Sequence, residues 1–137
     1  MDFNFSFFRR SPACLYDPIR YIWSMVRIET FRKLALAFDQ TTEAPHFEVI
    51  SFKVKGKIFA TLNPPFHRGC VRLSPVDQDV FCAFDPEIIY KVPNAWAKYG
   101  WTNINLKKVK REMLLDALTS AYCTVAPPKL AKKYMYF

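Results

Sequence analysis

Lys53, Lys55 and Lys57 surround a single glycine, Gly56, in the stretch Phe-Lys-Val-Lys-Gly-Lys-Ile-Phe-Ala-Thr-Leu that runs from Phe52 to Leu62. Three ammonium groups at that spacing suit one kind of chemistry, contact with the phosphates of a polyanion. Such contacts give affinity without sequence preference and make binding fall steeply with salt. Arg68, Arg72, Lys107, Lys108, Lys110 and Arg111 extend this candidate surface if the fold brings them round. No segment carries Arg, Asn and Gln together at groove-facing spacing, so base reading is not expected. The competing explanation is that alternate lysines guard an exposed strand against aggregation.

A second candidate is the aromatic group Trp96, Tyr99 and Trp101 around Gly100, with His46 as a further member. These side chains would line a hollow for a small ligand or a protein partner, or else pack a small core. A solvent-exposed Trp101 would favour the first reading and a buried one the second. His46, alone beside Phe47, reads as a packing residue rather than a catalyst.

Signals for catalysis are weak. Gly56, Gly69 and Gly100 are the only glycines, so no glycine-rich phosphate loop exists. Ser74 precedes a proline and lacks a nucleophile-elbow pattern, while Asp77, Asp79, Asp85 and Glu87 show no pairing that acid-base work would explain. The expectation is a protein that is not an enzyme and holds no cofactor. Cys14, Cys70, Cys82 and Cys123 are scattered without a Cys-x-x-Cys, with only His46 and His67 to assist them. Neither zinc-site nor disulfide-framework spacing is present, which points to buried free thiols in a reducing cytoplasm and to no metal. His67 and Cys70 lie three residues apart, too little for a dyad or a chelate.

The elements that must position these groups follow from length, charge and periodicity. A chain of 137 residues suits one domain, and its net charge of +8 favours anionic partners. No apolar run approaches the length that spans a bilayer. Residues 1–24 differ from the rest: Phe3, Phe5, Phe7 and Phe8 precede Arg9 and Arg10, the reverse of a secretory signal. They would add a strand through the alternate phenylalanines, or pack on the domain or a partner through Tyr21, Ile22 and Trp23, or, the preferred reading, form an extension upstream of a natural start at Met25; the domain covers residues 25–137. Ile28, Phe31, Leu34, Ala35 and Phe38 recur at helical spacing, and residues 39–45 read as a loop. Ile50, Phe52 and Val54, then Ile58, Ala60 and Leu62, alternate with polar residues as in a hairpin whose tip gathers the three lysines. Asn63 to Gly69 reads as a long connection, and residues 70–73 as a strand. Ser74 caps a short helix buried through Val76, Val80, Phe81 and Phe84. Short strands are expected near Ile88 to Tyr90 and Trp101 to Leu106. The clearest helical stripe is Leu114, Ala117, Leu118, Ala121, Tyr122 and Val125, ended by Pro127 and Pro128. A basic aromatic tail closes the chain, loosely held.

The order of these motifs resembles the MmcQ/YjbR family of small bacterial proteins. The matching residues are Ile28 to Leu34, His46, Lys55 to Ala60, Val71 to Pro75, Trp96 to Trp101, Ala121-Tyr122 and Val125 to Leu130. The resemblance runs from about Met25 to Lys133. It implies an α+β fold, a single small domain in which helices pack on one side of a twisted, mainly antiparallel sheet, similar to the frataxin-like or secretion-chaperone-like arrangement. It also implies DNA binding through a double-wing arrangement of hairpin loops. Two departures stand out: residues 1–24 precede the family domain, and Pro64-Pro65 lengthens one connection. Iron binding of the frataxin kind would need an acidic helix face, whereas the first helix here is basic.

Overall fold

The structure, a computed structural model, describes residues 26–46 and 48–135. The readings of residues 1–24 lie outside them. Six strands form one antiparallel sheet: β1 (Thr41–His46), β2 (Val49–Val54), β3 (Lys57–Asn63), β4 (Arg68–Arg72), β5 (Ile89–Lys91) and β6 (Trp101–Asn105). Their spatial order is β1-β2-β3-β4-β6-β5. Helices α1 (Ile28–Leu36), α2 (Pro75–Phe84), α3 (Arg111–Val125) and the single turn α4 (Pro128–Ala131) complete the α+β domain.

Register decides which side chains meet the helices. Phe52, Ala60, Val71 and Thr102 lie in one row across β2, β3, β4 and β6, and Ile50, Leu62, Gly69, Ile104 and Ile89 form the next. Against these rows pack Phe31, Leu34 and Ala35 of α1 and the full α3 stripe, Leu114, Ala117, Leu118, Ala121 and Tyr122. Periodicity of 3.6 on the helices meets periodicity of two on the strands, and one buried core results. Gln78 of α2 donates to the carbonyls of Ala97 and Trp101 and to Thr102 Oγ1, which sets α2 on that same side. The opposite face of the sheet, which no described helix covers, is not bare: Ser51 and Asn103 on it are 4% and 7% exposed.

Several expectations are corrected. Residues 41–46 form an edge strand instead of a loop, and His46 ends it instead of opening the first strand. An edge strand presents alternate backbone groups outward, so Pro45 is tolerated there. Asn63 to Gly69 is a tight connection: Pro64–Phe66 is one 3-10 turn, and His67 takes a left-handed conformation that returns the chain into β4. On α2, Ser74 Oγ accepts from the Asp77 amide as expected of a cap, yet Val76, Val80 and Phe84 are 71%, 63% and 67% exposed. The helix instead faces the sheet through Gln78, with Phe81 and Cys82 partly buried against the core.

The tail is held rather than loose. Tyr134 packs edge-on against Phe38 and Tyr122 with centroids 5.0 and 5.2 Å away. The Asp39 amide donates to Tyr134 Oη, Tyr122 Oη donates to the Asp39 carbonyl, and Lys133 Nζ lies 3.1 Å from Asp39 Oδ2. Midway along α1, Arg32 donates through Nε and Nη2 to both carboxylate oxygens of Glu43, tying the helix to the edge strand β1.

Candidate functional site

The hairpin that joins β2 to β3 turns through Lys55 and Gly56, both with positive φ, 52° and 80°. Two such residues make the type I′ turn that matches the twist of paired strands, and only the second needs to be glycine-like when the first is tolerant. Lys55 and Lys57 are exposed at this tip.

The three lysines do not share one face. Phe52 pairs with Ala60 and Lys53 with Ile58, so β3 carries one extra residue, Phe59. This bulge sends Phe59 into the core, with its ring 5.5 Å from Tyr122 and 6.2 Å from Phe38. The same shift places Ile58 beside Lys53 on the face turned away from the helices and Lys57 beside Val54 on the helix side. Lysines 53, 55 and 57 therefore surround the tip from both sides.

Other cations stand on the face turned away from the helices. Arg72 lies opposite Trp101 at the tip end of the sheet, and Arg68 lies opposite Asn105 at the far end. Arg72 Nε donates to the Tyr99 carbonyl, and the Arg68 guanidinium sits 5.1 Å above the Phe66 ring. Among the described residues, no carboxylate lies within ion-pair distance of Lys53, Lys55, Lys57, Arg68 or Arg72. Lys107, Lys108, Lys110 and Arg111 follow β6 and are exposed at the end of the sheet remote from the hairpin tip, about one strand length or 17 Å away. Lys108 is bound to Glu87 at 2.9 Å. The nine cations thus divide into a tip group and a far-end group, linked by Arg68 and Arg72.

The aromatic group also divides. Trp96 and Tyr99 stand on a 3-10 turn (Ala95–Tyr99), 5.7 Å apart and 61% and 51% exposed, so they are not core. Trp101 is half-buried on the sheet face turned away from the helices. His46 ends β1, at the opposite edge of the sheet from β5 and the turn that follows it, and does not join them.

Sequence reading missed two surfaces. One is the sheet face turned away from the helices, where Ser51, Thr61, Cys70 and Asn103 fill the row between Arg68 and Arg72, with Ser51 and Asn103 buried. Alternation hinted at this row, but the bulge at Phe59 hides its register. The other is the exposed α2 stripe of Val76, Val80 and Phe84, whose four-residue spacing reads equally well as a buried face.

Titration of the thiols follows from burial. Cys70 is pushed up to about 11 by desolvation, and burial also raises Cys82 and Cys123. Neutral thiol is favoured in the folded state, so this contribution to stability is present below about pH 9 and is lost as pH rises toward about 11. Only the thiolate attacks an alkylating agent. Iodoacetamide at pH 8 should therefore label Cys70 about 100-fold more slowly in the native chain than in urea, followed by mass spectrometry of the peptide that contains it. Equal rates would show that the thiol is solvated.

Among the described residues, no group of three or more His, Cys, Asp or Glu side chains is arranged to hold a metal ion, and no helix is long and apolar enough to cross a membrane.

Comparisons with known proteins bear on this geometry. A model of the YjbR family matches residues 36–124. No curated protein matches the sequence. Among solved structures, the crystal structure of Deinococcus radiodurans protein DR2400, with family-model domain DUF419, superposes with a TM-score of 0.66 at 19% identity, covering 81% of this chain and 89% of that one. At that identity the likeness speaks to the fold. The matched region contains the hairpin tip, both arginines of β4 and the aromatic turn.

Proposed function

The chain belongs to the YjbR family, and from that premise we propose that it is a non-enzymatic DNA-binding protein whose basic hairpin acts as a wing against the phosphate backbone. The observation that supports this reading is the charge at the tip: Lys53, Lys55 and Lys57 encircle a rigid type I′ turn with no described carboxylate in ion-pair reach. Ammonium groups held that way lose little by exchanging water and counterions for phosphate, and the released counterions supply the affinity. Arg72 adds a cation at the same end of the sheet. No described helix combines groove-facing Arg, Asn and Gln, so the binding is expected to ignore sequence.

Fluorescence titration of unrelated labelled duplexes tests this. Affinity should be alike for each sequence and fall with salt, and the variant Lys53→Glu/Lys55→Glu/Lys57→Glu should bind at least about tenfold more weakly, with a log-log salt slope shallower by about three. Unchanged affinity in the variant would remove the wing, and absence of binding by the parent at low salt would remove DNA as the ligand.

A second reading, a protein-interaction module, is favoured by a different observation. Trp96 and Tyr99 together with Val76, Val80 and Phe84 expose large apolar side chains that the core does not use, and such exposure is typical of surfaces that bind partners. It would stand if the parent fails to bind nucleic acid.

A further inference from the structure

An antiparallel sheet with one face left to water shows polar side chains on that face. The face turned away from the helices does not. Ser51 and Asn103 at its centre are buried, Asn63 Oδ1 is shut off from solvent, and Cys70 is desolvated. Neighbours in a sheet shade a short side chain, yet here the long ones that would do the shading, Lys53, Arg68 and Arg72, are themselves half-buried. All six strands lie within the sheet and no described helix crosses this side, so its cover comes from elsewhere.

The chain has one stretch long enough to supply it. Outside the described residues lie Phe47, Tyr136, Phe137 and residues 1–25. Val26 is buried, and its amide donates at 2.9 Å to the carbonyl of Leu106, one residue past the end of β6. The upstream chain therefore begins beside Asn105, in the row of Asn63, Arg68 and Asn105 that closes this face. From there the face extends about 20 Å across the strands, and a stretch of that length reaches about 80 Å when extended. Phe3, Phe5, Phe7, Phe8, Tyr21 and Trp23 lie within it, and rings of that size remove about 150–250 Å² each from water when buried. A second copy suits the face less well, because a symmetric pair would set Lys53, Arg68 and Arg72 of both copies against one another with no described carboxylate in ion-pair reach. We propose that residues 1–25 fold back across the sheet face turned away from the helices and cover it with these aromatic side chains, making a second core there.

The test is iodoacetamide labelling of the full chain at pH 8, read by peptide mass spectrometry. Cys70 reports on the covered face, and Cys123, packed against the core on the helix side, reports on the fold of the body. Tyr21→Ser/Ile22→Ser/Trp23→Ser should raise the Cys70 rate at least about tenfold over the parent, because a solvated thiol ionises more readily, and should leave Cys123 unchanged. Unchanged Cys70 labelling overturns the inference and leaves the shelter to the sheet's own side chains. If both thiols speed up together the body has loosened, and the folded parent carrying a specific-protease site between Ser24 and Met25 is cut instead. Release of residues 1–24, at once or in mild urea, should then free Cys70 alone; release with Cys70 still slow overturns the inference. Sedimentation of the parent should show a monomer. A dimer whose dilution frees Cys70 makes a second copy the occupant and also overturns it.

Discussion

Replacing Gly100 by alanine is expected to cost at least about 3 kcal/mol, a large part of the stability of a domain this size. Gly100 has φ of 97°, which alanine resists. The larger effect is steric, because an added Cβ would fall 1.9 Å from the Leu73 carbonyl oxygen. That contact is backbone against backbone, so no side chain can swing aside. The Leu73 amide donates to the Gly100 carbonyl at 2.9 Å, and the adjacent Arg72 and Trp101 pair across β4 and β6. Relief would therefore have to break the ladder that carries Trp101. Urea denaturation should show a lower midpoint with unchanged slope. A loss under about 1 kcal/mol would mean that the turn can move. Gly56→Ala is the control, for Gly56 also has positive φ but meets nothing within 4 Å. Only backbone strain applies there, about 1 kcal/mol.

Phe59→Ala is the second large effect, expected at about 3–5 kcal/mol. The side chain is fully buried and meets Phe38 and Tyr122 edge-on. Alanine removes the transfer energy of the ring and leaves a cavity between helix and sheet. It also removes the reason for the bulge. Without a large apolar side chain to bury at position 59, regular pairing of β3 with β2 competes, and regular pairing would turn Ile58 inward and Lys57 outward. Phe59→Leu should cost markedly less by filling most of the space. A small loss for alanine, by the same urea measurement, would mean that the surrounding rings close the gap.

Much of the fold was legible because its signals are local and redundant. The α3 stripe, the Ser74 cap with Pro75, the glycine in the hairpin turn and the alternation of Trp101 to Leu106 each state their own structure, and all are present. The family resemblance agreed with them. What escaped depends on neighbours that a linear reading cannot supply. Strand β1 contains Pro45 and polar residues, and only its position at the sheet edge makes it a strand. Val76, Val80 and Phe84 have the spacing of a buried face, but Gln78 finds three acceptors on the other side and turns the helix toward the sheet. The candidate site was legible as a list of cations and illegible as a surface. One bulged residue decides that Lys53 and Lys57 point to opposite sides, and strand order decides that Lys107 to Arg111 lie at the far end and that His46 stands apart from Trp96.

The fastening of residues 133 and 134 onto Asp39 has a bearing on biosynthesis. Strands β1 to β4 pair with their neighbours in chain order, so each can dock soon after it emerges from the ribosome. Lys133 follows Asp39 by 94 residues, a delay of about 5–20 s at ordinary translation speeds. Throughout that interval the rings of Phe38 and, once made, Tyr122 lack the cover that Tyr134 provides. A nascent chain therefore carries a sticky aromatic spot until residues 133 and 134 emerge, and chaperones that survey such spots can hold it through that interval.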